Sequence, residues 1–206
     1  MTERSETGNL ERCPWAGFAD LAYTRYHDEE WGVPTANDRA LFEKLILEGF
    51  QSGLSWLTIL RKRDNFRRAF HGFDPVKIAR FGANDIARLV ADPGIVRNRL
   101  KIEAAVDNAK AFIALAERQS LASFLWGFLE AGPIVNRHSS LSDVPPQTEL
   151  SQRISKALKS KGFRFVGPTT VYAFMQAVGM VNDHLVSCHR HGACARLQRD
   201  FRVPKL

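Results

Sequence analysis

The stretch Lys161-Gly162-Phe163-Arg164-Phe165-Val166-Gly167-Pro168-Thr169-Thr170 decides how this chain folds. It has a glycine near each end and a proline set to open a helix, which is the punctuation of a short turn between two helices. Upstream, Leu150, Ile154, Ala157 and Leu158 recur at helical spacing and stop at Lys161-Gly162. Downstream, a second helix runs from Pro168 through Tyr172, Phe174, Met175 and Val178 to Gly179. The free amides at the start of that second helix form an anion site. A phosphate of a polyanion such as DNA would fit there, with Lys161, Arg164 and Thr170 in support and Lys156 and Lys159 close by. A plain helix-to-helix connection explains the same spacing.

Outward from this hairpin the chain reads as helical throughout. Thr35-Ala-Asn-Asp38 resembles a capping box, and Leu41, Phe42, Leu45 and Ile46 follow on one face until Gly49 ends or bends the helix. Asp74-Pro75 opens another helix that stops near Gly82, and Asn84 opens a short one through Leu89 and Val90. The longest periodic segment follows, with Ile102, Ala105, Val106, Ala109, Phe112, Ile113 and Ala116 on one stripe. A further apolar helix covers residues 121–129, and residues 132–147, rich in Pro and Ser, read as a loop. The expected class is all-α: many short helices packed together, in a single unit spanning residues 1–206.

Composition narrows the function. In 206 residues, Lys and Arg number 29 against 22 for Asp and Glu, a net charge of +7 that suits a polyanionic partner. Residues 1–11 are polar and are expected to be flexible, with no apolar core for secretion. No run approaches the roughly 20 apolar residues of a membrane span, so a cytoplasmic protein is expected. Three cysteines, Cys13, Cys188 and Cys194, favour reduced thiols over a disulfide framework.

Two further groupings bear on chemistry. Cys13, His27, His184 and Cys188 form the two-thiol, two-imidazole set of a closed structural zinc site. His184 and Cys188 are spaced for one face of a helix, while Cys13 and His27 sit at the other end of the chain, so a metal would close a long loop. His189, His191 and Cys194 crowd the same stretch, which leaves the choice of ligands open. The second grouping is Glu48, placed by the Leu41 and Leu45 spacing on an apolar stripe, where an unpaired charge is costly. A carboxylate there faces a ligand, bonds to backbone amides, or turns to solvent if Gly49 has ended the helix. Trp15, Tyr23, Tyr26, Trp31 and Trp56 could wall a pocket for a planar ligand, or simply belong to the core.

Four runs carry a resemblance: residues 23–34, YTRYHDEEWGVP; residues 47–56, LEGFQSGLSW; residues 163–176, FRFVGPTTVYAFMQ; and residues 181–184, VNDH. In order and spacing they resemble the 3-methyladenine DNA glycosylase I family, over roughly residues 12–188. The resemblance implies the helix-hairpin-helix DNA glycosylase fold, with one structural zinc on Cys13, His27, His184 and Cys188. It implies a base pocket of Glu48, Tyr23, Tyr26, Trp56 and Trp15, with Glu48 as the catalytic carboxylate. The hairpin becomes a clamp on DNA phosphate through Gly162, Arg164, Gly167, Thr169 and Thr170. The expected enzyme is a monomer that flips 3-methyladenine out of alkylated double-stranded DNA, hydrolyses the N-glycosidic bond without cutting the strand, and releases the free base. Asp183, beside His184, is not promoted to catalysis, because this family is understood not to use the superfamily's aspartate. Residues 189–206 match no family motif, and their extra His and Cys are expected to stay off the metal. A zinc hydrolase and a non-enzymatic DNA-binding protein are the rival readings. Four protein ligands leave a zinc no open position for hydrolysis, and a binding protein has no use for an acidic group among pocket aromatics.

Overall fold

A computed structural model describes residues 10–16 and 20–204. The flexible stretch expected at residues 1–11 lies outside the described residues up to residue 9. Ten α-helices account for most of the described chain: α1 (Leu21–Glu29), α2 (Asp38–Gln51), α3 (Trp56–Ala69), α4 (Pro75–Ile78), α5 (Ala83–Ala91), α6 (Arg99–Ala116), α7 (Leu121–Trp126), α8 (Glu149–Ser160), α9 (Pro168–Ala177) and α10 (His189–Asp200). Short polar side chains start most of them. Asp20, Asn37, Ser55, Asp74, Asn98, Ser120 and Thr148 each accept a hydrogen bond from an amide in the first turn of the helix they precede. Such a cap contributes about 1 kcal/mol. The cap of α2 is Asn37, two residues beyond the expected Thr35, with its side chain accepting from the Ala40 amide at 2.9 Å.

Helix α2 is the hub, packing against α3, α6, α7 and α9. Its Leu41, Phe42, Leu45, Leu47 and Phe50 are buried together with Phe66, Phe70, Phe73, Trp126 and Phe174 from the surrounding elements. Each fully buried side chain of this size contributes about 1.5 to 3 kcal/mol, so the hub is strongly held. Gly49 neither ends nor kinks α2. It leaves room for Phe165 of the hairpin, whose Cβ would lie 3.3 Å from a side chain placed there. The helix runs on to Gln51 and keeps Glu48 on its inner face.

The 132–147 loop contains a strand of two residues, β1 (Ile134–Val135), paired in parallel with β2 (Val181–Asn182) in the register Ile134↔Val181 and Val135↔Asn182. This pairing holds the loop beside the end of α9. The tail forms α10, which sequence periodicity does not single out because its apolar stripe is thin. It docks through buried Cys194 and through Gln198 Nε2, which donates to the Gly179 carbonyl at 2.9 Å. Beyond it, Phe201 packs on Trp126 with ring centroids 4.5 Å apart. No helix among the described residues is long and apolar enough to cross a membrane.

Candidate active site

Glu48 reaches the wall of a cavity of about 310 Å³, as do Trp15, Tyr23, Tyr26, Trp31 and Trp56. The aromatic groups come from three places: Trp15 from a 3-10 turn, the tyrosines from α1, and Trp56 from the first position of α3. Their rings pack on one another, with centroid distances of 5.2 Å for Trp15–Tyr23, 4.8 Å for Trp15–Trp31 and 5.2 Å for Tyr26–Trp56. Every residue expected in the base pocket therefore lies on one cavity, whose size suits a small planar ligand. Five lining residues escape a reading of sequence: Gln51, Ala173, Gln176, Leu141 and Val144. Gln51 lies a turn after Glu48 on α2, so its place could have been found by extending that helix. Leu141 and Val144 belong to a loop and leave no periodic signal.

Two buried carboxylates lie on this cavity. Glu48 is 4% exposed and accepts no hydrogen bond from a described residue. Burial pushes its carboxyl up to about 7, with Lys44 pulling the other way. Asp183 is 2% exposed and fully engaged: Tyr172 Oη and Gln176 Nε2 donate to one oxygen, both at 2.7 Å, and Asn136 Nδ2 donates to the other at 2.7 Å. His138 Nε2 stands 3.4 Å from that second oxygen.

The hairpin divides into a part with internal duties and a part without. Gly162 terminates α8 at φ +91°, where a side chain is strained, and the next amide, Phe163, donates to the Leu158 carbonyl at 3.1 Å. Arg164 pairs with Asp107 at 2.6 Å, and Asn108 of α6 grips its backbone, accepting from the amide at 2.6 Å and donating to the carbonyl at 3.0 Å. Gly167, by contrast, has an ordinary φ of −62° and open space where a side chain would be. It starts α9 without a side-chain cap, so the amides of Thr169 and Thr170 are left without the partner that most other helices here possess. Thr169 and Thr170 border a cleft of about 220 Å³ that shares Glu48, Gln51 and Ala173 with the aromatic cavity.

The residues expected to bind a metal also converge. Cys13, His27 and Cys188 are buried, and their ligand atoms all lie within 4.8 Å of one another. His184 falls outside that tightest group, yet its ring centroid is 5.0 Å from that of His27 and its Nε2 is buried with no hydrogen-bond partner. Gly32 makes this closeness possible, since a Cβ there would come within 2.8 Å of the His184 ring. The ring nitrogens not facing the cluster are held: His27 Nδ1 by Asp28 at 2.8 Å and His184 Nδ1 by Asn182 at 2.9 Å. Second partners of this kind orient metal-binding imidazoles. Two thiols and two imidazoles, one with an orphaned nitrogen, fit a tetrahedral metal. His184 and Cys188 reach the cluster along a turn, correcting the helical face that their spacing suggests. His189 and His191 are engaged by the carbonyls of Glu11 and Asn136, and Cys194 lies against the Trp31 carbonyl; none of the three is among the converging ligand atoms, although the His189 ring stands 5.9 Å from that of His27.

Known proteins match this chain closely in sequence and fold. The sequence model of the methyladenine glycosylase family matches residues 15–191. DNA-3-methyladenine glycosylase 1 of Escherichia coli (strain K12) is 48% identical over 180 residues, 87% of this chain and 96% of that protein. A crystal structure of 3-methyladenine DNA glycosylase I superposes with a TM-score of 0.86 at 47% identity, covering 88% of this chain and all of that one. A structure that describes 3-methyladenine recognition by the Staphylococcus aureus enzyme superposes at 0.84 with 38% identity, covering 89% and 98%. Family match, identity and fold agree, and the chain belongs to the methyladenine glycosylase family of DNA repair enzymes.

Proposed function

We propose that this enzyme takes 3-methyladenine, flipped out of duplex DNA, into the aromatic cavity and hydrolyses its N-glycosidic bond, leaving the strand intact. The observation that carries the reading is Glu48, a buried carboxylate without a hydrogen-bond donor among five aromatic rings. Such a group is costly unless a ligand supplies charge and a donor. Methylation at N3 leaves adenine cationic in the nucleotide, so the base is already a good leaving group and needs little acid catalysis. Trp15, Tyr23, Tyr26 and Trp56 supply faces for cation-π attraction, and Glu48 accepts from the exocyclic amine and favours the cation over neutral adenine. Among the described residues no lysine lines the cavity, which argues for attack by water rather than a Schiff base and hence for a monofunctional enzyme.

In this reading the open amides of Thr169 and Thr170, with Gly167 permitting close approach, hold a DNA phosphate beside the cavity mouth. Gly162 shapes the clamp, and Arg164 joins it if it exchanges Asp107 for phosphate. One zinc held by Cys13, His27, His184 and Cys188 would bind the two ends of a single cytoplasmic, monomeric unit together and take no part in the reaction. Purified protein incubated with methylated duplex DNA should release 3-methyladenine and leave alkali-labile but uncut strands. Strands cut without alkali would replace hydrolysis with a lyase reaction, and no base release would remove the reading altogether.

A further inference from the structure

Behind the aromatic wall stands a cation that the reaction just described does not use. Lys44 lies one turn before Glu48 on α2, and its Nζ is 4.6 Å from the ring centroids of both Tyr26 and Trp56. It donates to Tyr26 Oη at 3.4 Å. Lys44 does not line the aromatic cavity. It lines a separate cleft with Glu29, Glu30 and Val33, so Tyr26 and Trp56 stand between its ammonium and the space for the base.

The neighbouring charges decide what this ammonium serves. Glu30, at the end of α1, is held in two-pronged fashion by Arg63 of α3 at 2.5 and 2.9 Å. Glu43, on α2, is taken by Arg67 of α3 at 2.8 Å. Of the acidic groups around Lys44, Glu48 is the one whose charge no arginine offsets. Around Glu48 the remaining titratable groups are Tyr23 and Tyr26 of α1 and, across the cavity, Asp183 with its own donors. Lys44 and Glu48 make no direct ion pair within 4.0 Å. Their attraction acts through the low-dielectric aromatic wall, where it is weakly screened.

We infer that Lys44 is a positioning residue for charge: from behind Tyr26 and Trp56 it favours the ionised form of Glu48, so that the cavity presents an anion to the cationic base from neutral pH upward. The inference rests on Glu48 being the carboxylate that meets the base. Its electrostatics agree, since burial drives Glu48 up to about 7 and Lys44 down to about 8, each restrained by the other. Without Lys44 that restraint is gone, and Glu48 holds its proton to higher pH.

The test is the pH profile of single-turnover excision from DNA containing 3-methyladenine, a nucleotide whose positive charge does not titrate in this range. Wild type should lose activity on the acid side with a midpoint near neutrality. Lys44→Met should move that acid limb up by about one pH unit, with rates rejoining wild type at high pH. Lys44→Arg should keep the wild-type limb. Lys44→Gln serves in place of Lys44→Met should the latter fail to fold. Glu48→Gln separates the two ideas: if it abolishes the acid limb while Lys44→Met and Lys44→Gln leave it unmoved, the role of Lys44 is wrong and that of Glu48 stands. If Glu48→Gln itself changes neither rate nor limb, Glu48 does not meet the base, and the inference falls with it.

Discussion

Glu48 and Asp183 are carboxylates of nearly equal burial on one cavity, and they differ in what surrounds them. Three donors at 2.7 Å and a nearby imidazole complete Asp183, whereas Glu48 has aromatic faces and a lysine behind them. A saturated buried carboxylate spends its charge inside the protein and has little left for a ligand. An unsaturated one keeps it available. Asp183 ties α9 to the 132–147 loop that brings Leu141 and Val144 to the wall, whereas Glu48 lines the same cavity with its charge unspent.

The widest test asks whether the frame that holds both groups depends on metal. Cys13→Ala should remove bound zinc and lower stability by about 5 kcal/mol, read as metal content and Tm together. Cys194→Ala should keep its zinc, and loss of metal there would redraw the ligand set. Next, Asp183→Asn leaves Tyr172, Gln176 and Asn136 donating into an amide, at a cost of about 3 kcal/mol. Urea unfolding should reveal it, with hydrogen exchange accelerating in residues 132–147. A variant of unchanged stability and abolished excision would reverse the roles assigned to the two carboxylates.

Glu48→Gln should reduce excision by about 1 to 3 kcal/mol of transition-state stabilisation, roughly 5- to 150-fold in rate, with nonspecific DNA binding intact. Its stability follows from proton linkage. The folded protein holds the Glu48 proton up to about pH 7, whereas the unfolded chain releases it near 4.5. More protons are then bound in the native state between those values, so wild-type stability falls as pH rises through that window. The glutamine variant lacks this fall and should be the more stable protein above pH 7, as paired thermal melts would show. The smallest effect belongs to the hairpin. Gly167→Asp fits the fold, because open space receives the side chain, yet it sets a negative charge where phosphate would approach. Affinity for all DNA sequences should drop about tenfold at fixed salt. Unchanged affinity would reduce the hairpin to a connection.

What the sequence discloses follows the range of the interactions involved. The helices on either side of the hairpin, the stripe on α2 and the place of Glu48 are legible because they rest on neighbours three and four residues apart. The aromatic pocket is legible through family motifs, and the Cys/His group through its residue types. The partners of Asp183 are not: Asn136 stands 47 positions away in a segment without periodicity, and only the β1–β2 pairing brings it close. Helix α3 is hidden for another reason, as its WLTILRKRDNFRRA sequence interleaves charge with apolar residues and spends the charges on Asp20, Glu30 and Glu43. The turn at His184–Cys188 escapes because a spacing of four suits a helix as well as a loop closing on a metal.

The pairing of Cys188 with His27 spans 161 residues, and that of His189 with Glu11 spans 178. At a synthesis rate of roughly 5 to 20 residues per second, about ten to thirty seconds separate the appearance of these partners on the ribosome. During that interval Cys13 and His27 are exposed without their mates, free to meet stray metal ions or oxidants. A part made later thus closes one made earlier, and a nascent chain stalled before Cys188 would leave Cys13 and His27 without it.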